Sequence, residues 1–166
     1  MNVLSWPAVV ALEITAACSN RCPGCSNVYA AARAGRVTPA DQWERWLAEF
    51  APEAVQIRLT GGEPTLHPEF GRIFAAAVSY DARVTVFTNG RWRDPHGLIR
   101  QVRGRANFSG LLISLHGARA ETHEAFSHVP GSFDETLANI RLAVEAGVPV
   151  ALSTVLTRQS WREAAG

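Results

Sequence analysis

The chain has 166 residues, 47% of them hydrophobic and 19% charged, the proportions of one soluble globular domain rather than of a disordered or fibrous chain. A formal net charge of +1 supplies no global basic field, so nucleic acid is not an expected partner. No stretch approaches the roughly 20 apolar residues of a membrane span, and Met1 to Val10 lacks a charged segment leading into a long apolar run; a cytoplasmic protein is expected.

The elements, taken in chain order, alternate between two periods. Val9 to Thr15 carries apolar residues at Val10, Leu12 and Ile14 and reads as a strand. A helix is expected next, with Thr38 as N-cap, Pro39 at its first position, and Trp43, Trp46, Leu47 and Phe50 along one face. Val55 to Thr60 alternates Val55, Ile57 and Leu59 with Gln56, Arg58 and Thr60, the pattern of a second strand. Phe70 to Val78 reads as helix, Arg83 to Thr88 as strand, Pro95 to Arg103 as a more weakly patterned helix, and Leu111 to His116 as strand. A helix from Ser132, with Glu135 completing a capping box, runs through Leu137, Ile140 and Val144 to a stop at Gly147. Val148 to Val155 is the fifth strand. Such alternation predicts an α/β fold, with parallel strands covered by helices and functional residues gathered at the carboxyl ends of the strands.

All three cysteines fall within one such end, in Thr15-Ala-Ala-Cys18-Ser-Asn-Arg-Cys22-Pro-Gly-Cys25. An odd number of cysteines in so short a segment suits a metal site better than a disulfide framework. Three thiolates can hold three irons of a [4Fe-4S] cube and leave the fourth open to a ligand. The competing reading is a Cys3His zinc site drawing its fourth ligand from His67, His116, His123 or His128; three unrelated cysteines is a further one. The rest of the chain has no cysteine for a second cluster.

The C-x3-C-x2-C spacing after the first strand resembles the signature of the radical S-adenosylmethionine superfamily, and the resemblance extends through Leu59-Thr60-Gly61-Gly62-Glu63-Pro64, Phe87-Thr88-Asn89-Gly90 and Ile113-Ser114-Leu115-His116-Gly117. It implies that Cys18, Cys22 and Cys25 ligate a [4Fe-4S] cluster and that the open iron takes the amino and carboxylate groups of S-adenosylmethionine. It further implies that Gly61, Gly62 and Glu63 hold the cofactor's amino group, and that Asn89, Ser114 and Thr154 face the cofactor. Two departures from the pattern stand out: Gly24 precedes the third cysteine where many members have an aromatic residue. Ser127 occupies the position of an arginine that meets the cofactor carboxylate.

The same resemblance implies a partial (β/α) TIM-type barrel, with residues 1–166 as a core domain truncated at its C-terminus, since five of the usual six β/α units are legible. A partner chain completing the open edge, an external reductant such as flavodoxin, and a peptide or small-metabolite substrate are the expected partners. The expected activity is reductive cleavage of S-adenosylmethionine to a 5'-deoxyadenosyl radical that abstracts hydrogen from the substrate. A non-catalytic cluster-binding module is the alternative.

Overall fold

The computed structural model describes residues 7–25, 27 and 37–163. Five strands form one sheet: β1 (Val9–Glu13), β2 (Gln56–Thr60), β3 (Arg83–Thr88), β4 (Phe108–Ser114) and β5 (Val150–Ser153). They pair in sequence order, and every pairing is parallel. Parallel neighbours need a crossover, and helices supply it: α1 (Ala40–Phe50), α2 (Phe70–Ala77), α3 (Pro95–Val102), and the pair α4 (Ala120–Ser127) and α5 (Ser132–Glu145) between β4 and β5. The result is the expected α/β fold, an open barrel-like sheet.

The two faces of the sheet differ as their alternation requires. Ile57, Leu59, Val84, Val86 and Ile113 point to the helical side and are completely or almost completely buried against Leu47, Ile73, Phe74 and Val102. Fully burying one such side chain contributes about 1.5–3 kcal/mol, so this layer holds the strands in register. The opposite face carries Gln56, Arg58, Thr60, Thr85 and Phe87 and is more open.

Both helix starts read from local capping signals are displaced by one residue, for the same physical reason. Pro39, not Thr38, is the N-cap of α1 and makes no side-chain cap. The first amide, of Ala40, donates instead to Glu69 Oε2 at 3.0 Å, while the Thr38 carbonyl is bonded to His67 Nε2 at 2.9 Å. At α5 the N-cap is Gly131 in the left-handed region (φ 79). The Ser132 hydroxyl is bonded to Ser127 Oγ at 2.7 Å, and Glu124 of α4 accepts the Gly131 amide at 2.8 Å. Carboxylates from neighbouring elements have taken over the orphan amides that local caps would satisfy. The stop of α5 is as its sequence indicates: Gly147 (φ 73) donates to Val144 O, and Val148 to Ala143 O. Helix α4 has no counterpart in the sequence reading; it is short, and its buried residues, His123 and Ser127, are polar.

Candidate functional site

The loop after β1 is zipped to the turn after β2. Ile14 N donates to Thr60 O, Gly62 N to Thr15 O at 2.7 Å and Glu63 N to Ala17 O at 2.7 Å. This approach explains the paired glycines. A Cβ on Gly61 would stand 2.4 Å from Thr15 O, and one on Gly62 2.3 Å from Ala17 O; both distances are prohibitive for backbone atoms that cannot swing away. The glycines admit the cysteine-bearing backbone itself.

Farther along, the cysteine loop is tied down from three sides. Asn27 Nδ2 donates to Ala16 O at 2.9 Å. Arg21 N donates to Ser127 O at 2.9 Å, so the residue in the place of the expected arginine anchors the loop through its backbone. Arg91 Nη1 donates to Ser19 O at 2.8 Å and Asn20 Oδ1 at 3.0 Å, and Arg91 Nε meets Glu135 Oε2 at 2.7 Å. No sequence motif singled out Arg91; its place directly after Asn89-Gly90 is the one signal that pointed to it.

Cys18, Cys22 and Cys25 line one cleft of about 400 Å³ together with Gly61, Asn89 and Ser114. Cys18 Sγ accepts from Asn20 N at 3.4 Å and from Asn89 Nδ2 at 3.7 Å, and Cys25 Sγ accepts from Asn27 N at 3.4 Å. Burial pushes the Cys18 thiol up, and burial together with the neighbouring thiols pushes Cys22 up to about 11. Such groups resist ionising beside one another and become thiolates when iron or another soft metal takes the place of the proton. Three convergent thiols with amide donors to two sulfurs fit the iron-sulfur donor chemistry. Among the described residues no three His, Cys, Asp or Glu side chains are arranged around one metal ion; a cube spreads its thiolates over separate irons.

Glu63 is fully buried, and its carboxylate faces protein donors on every side. Oε1 accepts from Thr65 N at 3.2 Å, Thr65 Oγ1 at 2.6 Å and Thr88 Oγ1 at 2.8 Å, and Oε2 accepts from Asn89 N at 2.7 Å. Burial raises its pKa, opposed by these hydrogen bonds. Through these bonds Glu63 joins the turn after β2 to the end of β3 and so fixes Asn89. Asn89 in turn reaches the cysteine loop, donating through Nδ2 to Ser19 Oγ at 2.9 Å.

Thr154 is placed elsewhere. Its hydroxyl donates to Leu115 O at 2.6 Å, and it lines a separate cleft with Ser160 and Glu163. The side-chain alternation of the extended chain turns Ser153 and Val155 to the cysteine cleft instead.

Among the four histidines of the zinc reading, the His116 and His123 rings stack with centroids 5.9 Å apart. His67 is held by Thr38 O and by the Glu69 amide, which donates to Nδ1 at 3.0 Å. His128 is the left-handed C-cap of α4 (φ 54), and His123 Nδ1 accepts the His116 amide at 3.1 Å. Only His116 lines the cysteine cleft. It is packed on Phe126 with ring centroids 4.1 Å apart, and its Nδ1 accepts from Val155 N at 3.3 Å. Burial and then His123 lower its pKa to about 4.

Comparison with known proteins gives a consistent picture. The family model described as Radical SAM superfamily matches residues 12–165. The chain is 31% identical over 159 residues to the AdoMet-dependent heme synthase of Methanosarcina barkeri, covering 95% of this chain and 45% of that protein. It is 29% identical over 161 residues to the PqqA peptide cyclase of Granulibacter bethesdensis, covering 96% and 42%. The chain thus spans less than half the length of these curated relatives. Among solved structures, Streptococcus suis SuiB bound to the precursor peptide SuiA superposes with a TM-score of 0.85 at 21% identity, over 98% of this chain and 36% of that one; the likeness is one of fold.

Proposed function

We propose that this chain, which belongs to the radical SAM superfamily, binds a [4Fe-4S] cluster on Cys18, Cys22 and Cys25 and S-adenosylmethionine beside it. The observation that carries this reading is the sharing of one cleft by the three thiols, the Gly61-Gly62 turn, Asn89 and Ser114. A reduced [4Fe-4S] cluster held by these thiols would supply the electron for cleavage of S-adenosylmethionine to methionine and a 5'-deoxyadenosyl radical, which would abstract hydrogen from substrate.

The chain's own residues hold and orient. The thiols occupy three irons, and the amide donors on Cys18 and Cys25 stabilise their negative charge. Backbone at Gly61 and Gly62, with the Asn89 and Ser114 side chains, forms the polar wall against which the cofactor is oriented. Phe87, Leu112 and Phe126 give the cleft an apolar side that excludes water from a reactive intermediate. Glu63 acts through Asn89. The core domain corresponds to residues 1–166, and electrons come from an external reductant such as flavodoxin.

A peptide substrate is favoured by the names of similar proteins, PqqA peptide cyclase and SuiB bound to its precursor peptide, and a small metabolite is the second choice because of the heme synthase. A partner segment along β5, where Leu152 is 52% exposed, belongs to the same proposal. The test is anaerobic reconstitution with iron and sulfide, reduction with dithionite in the presence of S-adenosylmethionine, and assay for 5'-deoxyadenosine. Product that disappears in Cys22→Ala is expected. A brown protein with no cleavage would favour a non-catalytic cluster-binding module, and a colourless zinc protein would overturn the cluster assignment.

A further inference from the structure

The open face of the sheet carries a second groove, of about 370 Å³, next to the cysteine cleft; Phe87 and Leu112 line both. Its one basic side chain among the described residues is Arg58, on the central part of β2. The guanidinium lies over the Phe87 ring, 5.6 Å from its centroid. Nε and Nη2 donate to Gln56 Oε1 at 3.3 and 3.2 Å, and Gln56 Nε2 is fixed by Thr85 Oγ1 at 3.2 Å. This glutamine and the aromatic face set the plane of the cation, while the remaining donors of the guanidinium fork have no hydrogen-bond acceptor among the described residues.

Arg58 has no carboxylate partner among the described residues; the ion pairs there belong to Arg72 and Arg91. Glu13 of β1 stands in register with Thr60, farther toward the cleft. A half-buried cation held in a fixed plane without a counter-charge is an oxyanion receptor in waiting, because a charge-assisted pair is stronger in a groove than in bulk water. Arg58 precedes Thr60, a residue of the cysteine cleft, by two positions, or roughly 7 Å along a strand. A molecule whose reacting carbon faces the cleft thus reaches Arg58 with a side group of ordinary length. A planar monoanion matches a single fork whose other edge is occupied, whereas phosphate recruits several cations or a nest of amides, and no other cation among the described residues lines this groove.

We propose that Arg58 binds a carboxylate of the substrate and thereby selects substrates with an acidic group a short distance from the reacting carbon. The proposal rests on the cofactor reading above, and its test separates the two. The reconstituted chain with S-adenosylmethionine is titrated anaerobically, by calorimetry, with acetyl-Ala-Glu-Ala-amide and its Gln analogue, and the titrations are repeated with Arg58→Gln and Arg58→Lys. Expected is a preference of about tenfold for the Glu peptide, abolished in Arg58→Gln and partly kept in Arg58→Lys. Equal binding, failure of both peptides to bind, or a preference that survives Arg58→Gln overturns the proposal. In parallel, 5'-deoxyadenosine is assayed in the wild-type chain. If it forms while the preference is missing, only the Arg58 assignment fails; if it does not form, the cofactor reading fails whatever the peptides do.

Discussion

Arg91 Nε stands 2.7 Å from Glu135 Oε2 while its Nη1 holds Ser19 O and Asn20 Oδ1, so one guanidinium joins the start of α5 to the segment between two of the cysteines. The Arg91 side chain is only 15% exposed, and hydrogen bonds to a charged group contribute about 1.5–3 kcal/mol each. Arg91→Leu is therefore expected to free the loop between Cys18 and Cys22. Iron-sulfur absorbance should bleach several-fold faster under a chelator than in the wild-type chain, with the circular dichroism of the fold retained. Glu135→Gln should show a smaller effect of the same sign. Equal bleaching rates in all three proteins would remove Arg91 from the site.

Gly61 and Gly62 make a sharper prediction because the obstacle is backbone. Alanine at either position would drive its Cβ to within 2.4 Å of Thr15 O or 2.3 Å of Ala17 O, and the two strand ends would have to part. A cost of about 3 kcal/mol or more is expected, read as a fall in the urea midpoint together with loss of cluster loading. Gly24→Ala is the control: it meets nothing among the described residues within 4 Å and should cost about 1 kcal/mol through its left-handed backbone alone. A Gly62→Ala protein as stable as Gly24→Ala would contradict the described approach of the two loops.

The contrast between what was legible and what was not follows from interaction range. Strands β2 and β3 and the stop of α5 could be read because alternation and a glycine C-cap act over a few residues. The start of α1 could not be read to the residue, because Glu69, from another crossover, caps it. The three cysteines were legible as a set because their spacing is local, and the turn at Gly61-Gly62 because its composition is distinctive. The protein partners of Glu63 were not, since only the fold brings Thr88 and the Asn89 amide onto it. Arg91 is the same case from the other side, since its partners lie more than forty residues away at Glu135 and more than seventy at Ser19 and Asn20.

Glu63→Gln tests the link between Glu63 and Asn89. The amide keeps the shape of the side chain but places a donor against groups that are themselves donors, so one hydrogen bond is lost and a buried polar group is left unsatisfied. About 1–3 kcal/mol of stability should disappear. If Glu63 acts through Asn89, then Glu63→Gln and Asn89→Ala should be non-additive for cofactor affinity, measured by S-adenosylmethionine titration of the reconstituted chain. Full additivity would indicate that Glu63 meets the cofactor independently.

His116 gives the fold a pH dependence of definite sign. An unfolded imidazole protonates near 6.5, whereas His116 in the fold is held neutral to about 4, first by burial and then by His123. Between those values the unfolded chain binds more protons, so the stability contributed by neutral His116 is complete above 6.5 and is lost as pH falls toward 4. The lowered pKa of His123, caused first by burial, acts in the same direction, and the raised pKa of Glu63 acts in the opposite one. Substitution isolates the contribution of His116. In His116→Gln the urea midpoint should fall less between pH 7 and pH 4 than in the wild-type chain, because the position no longer takes up a proton on unfolding. Parallel midpoint curves for the two proteins would show that His116 titrates in the fold as it does in water, which the packing on Phe126 and the bond from the Val155 amide to Nδ1 oppose.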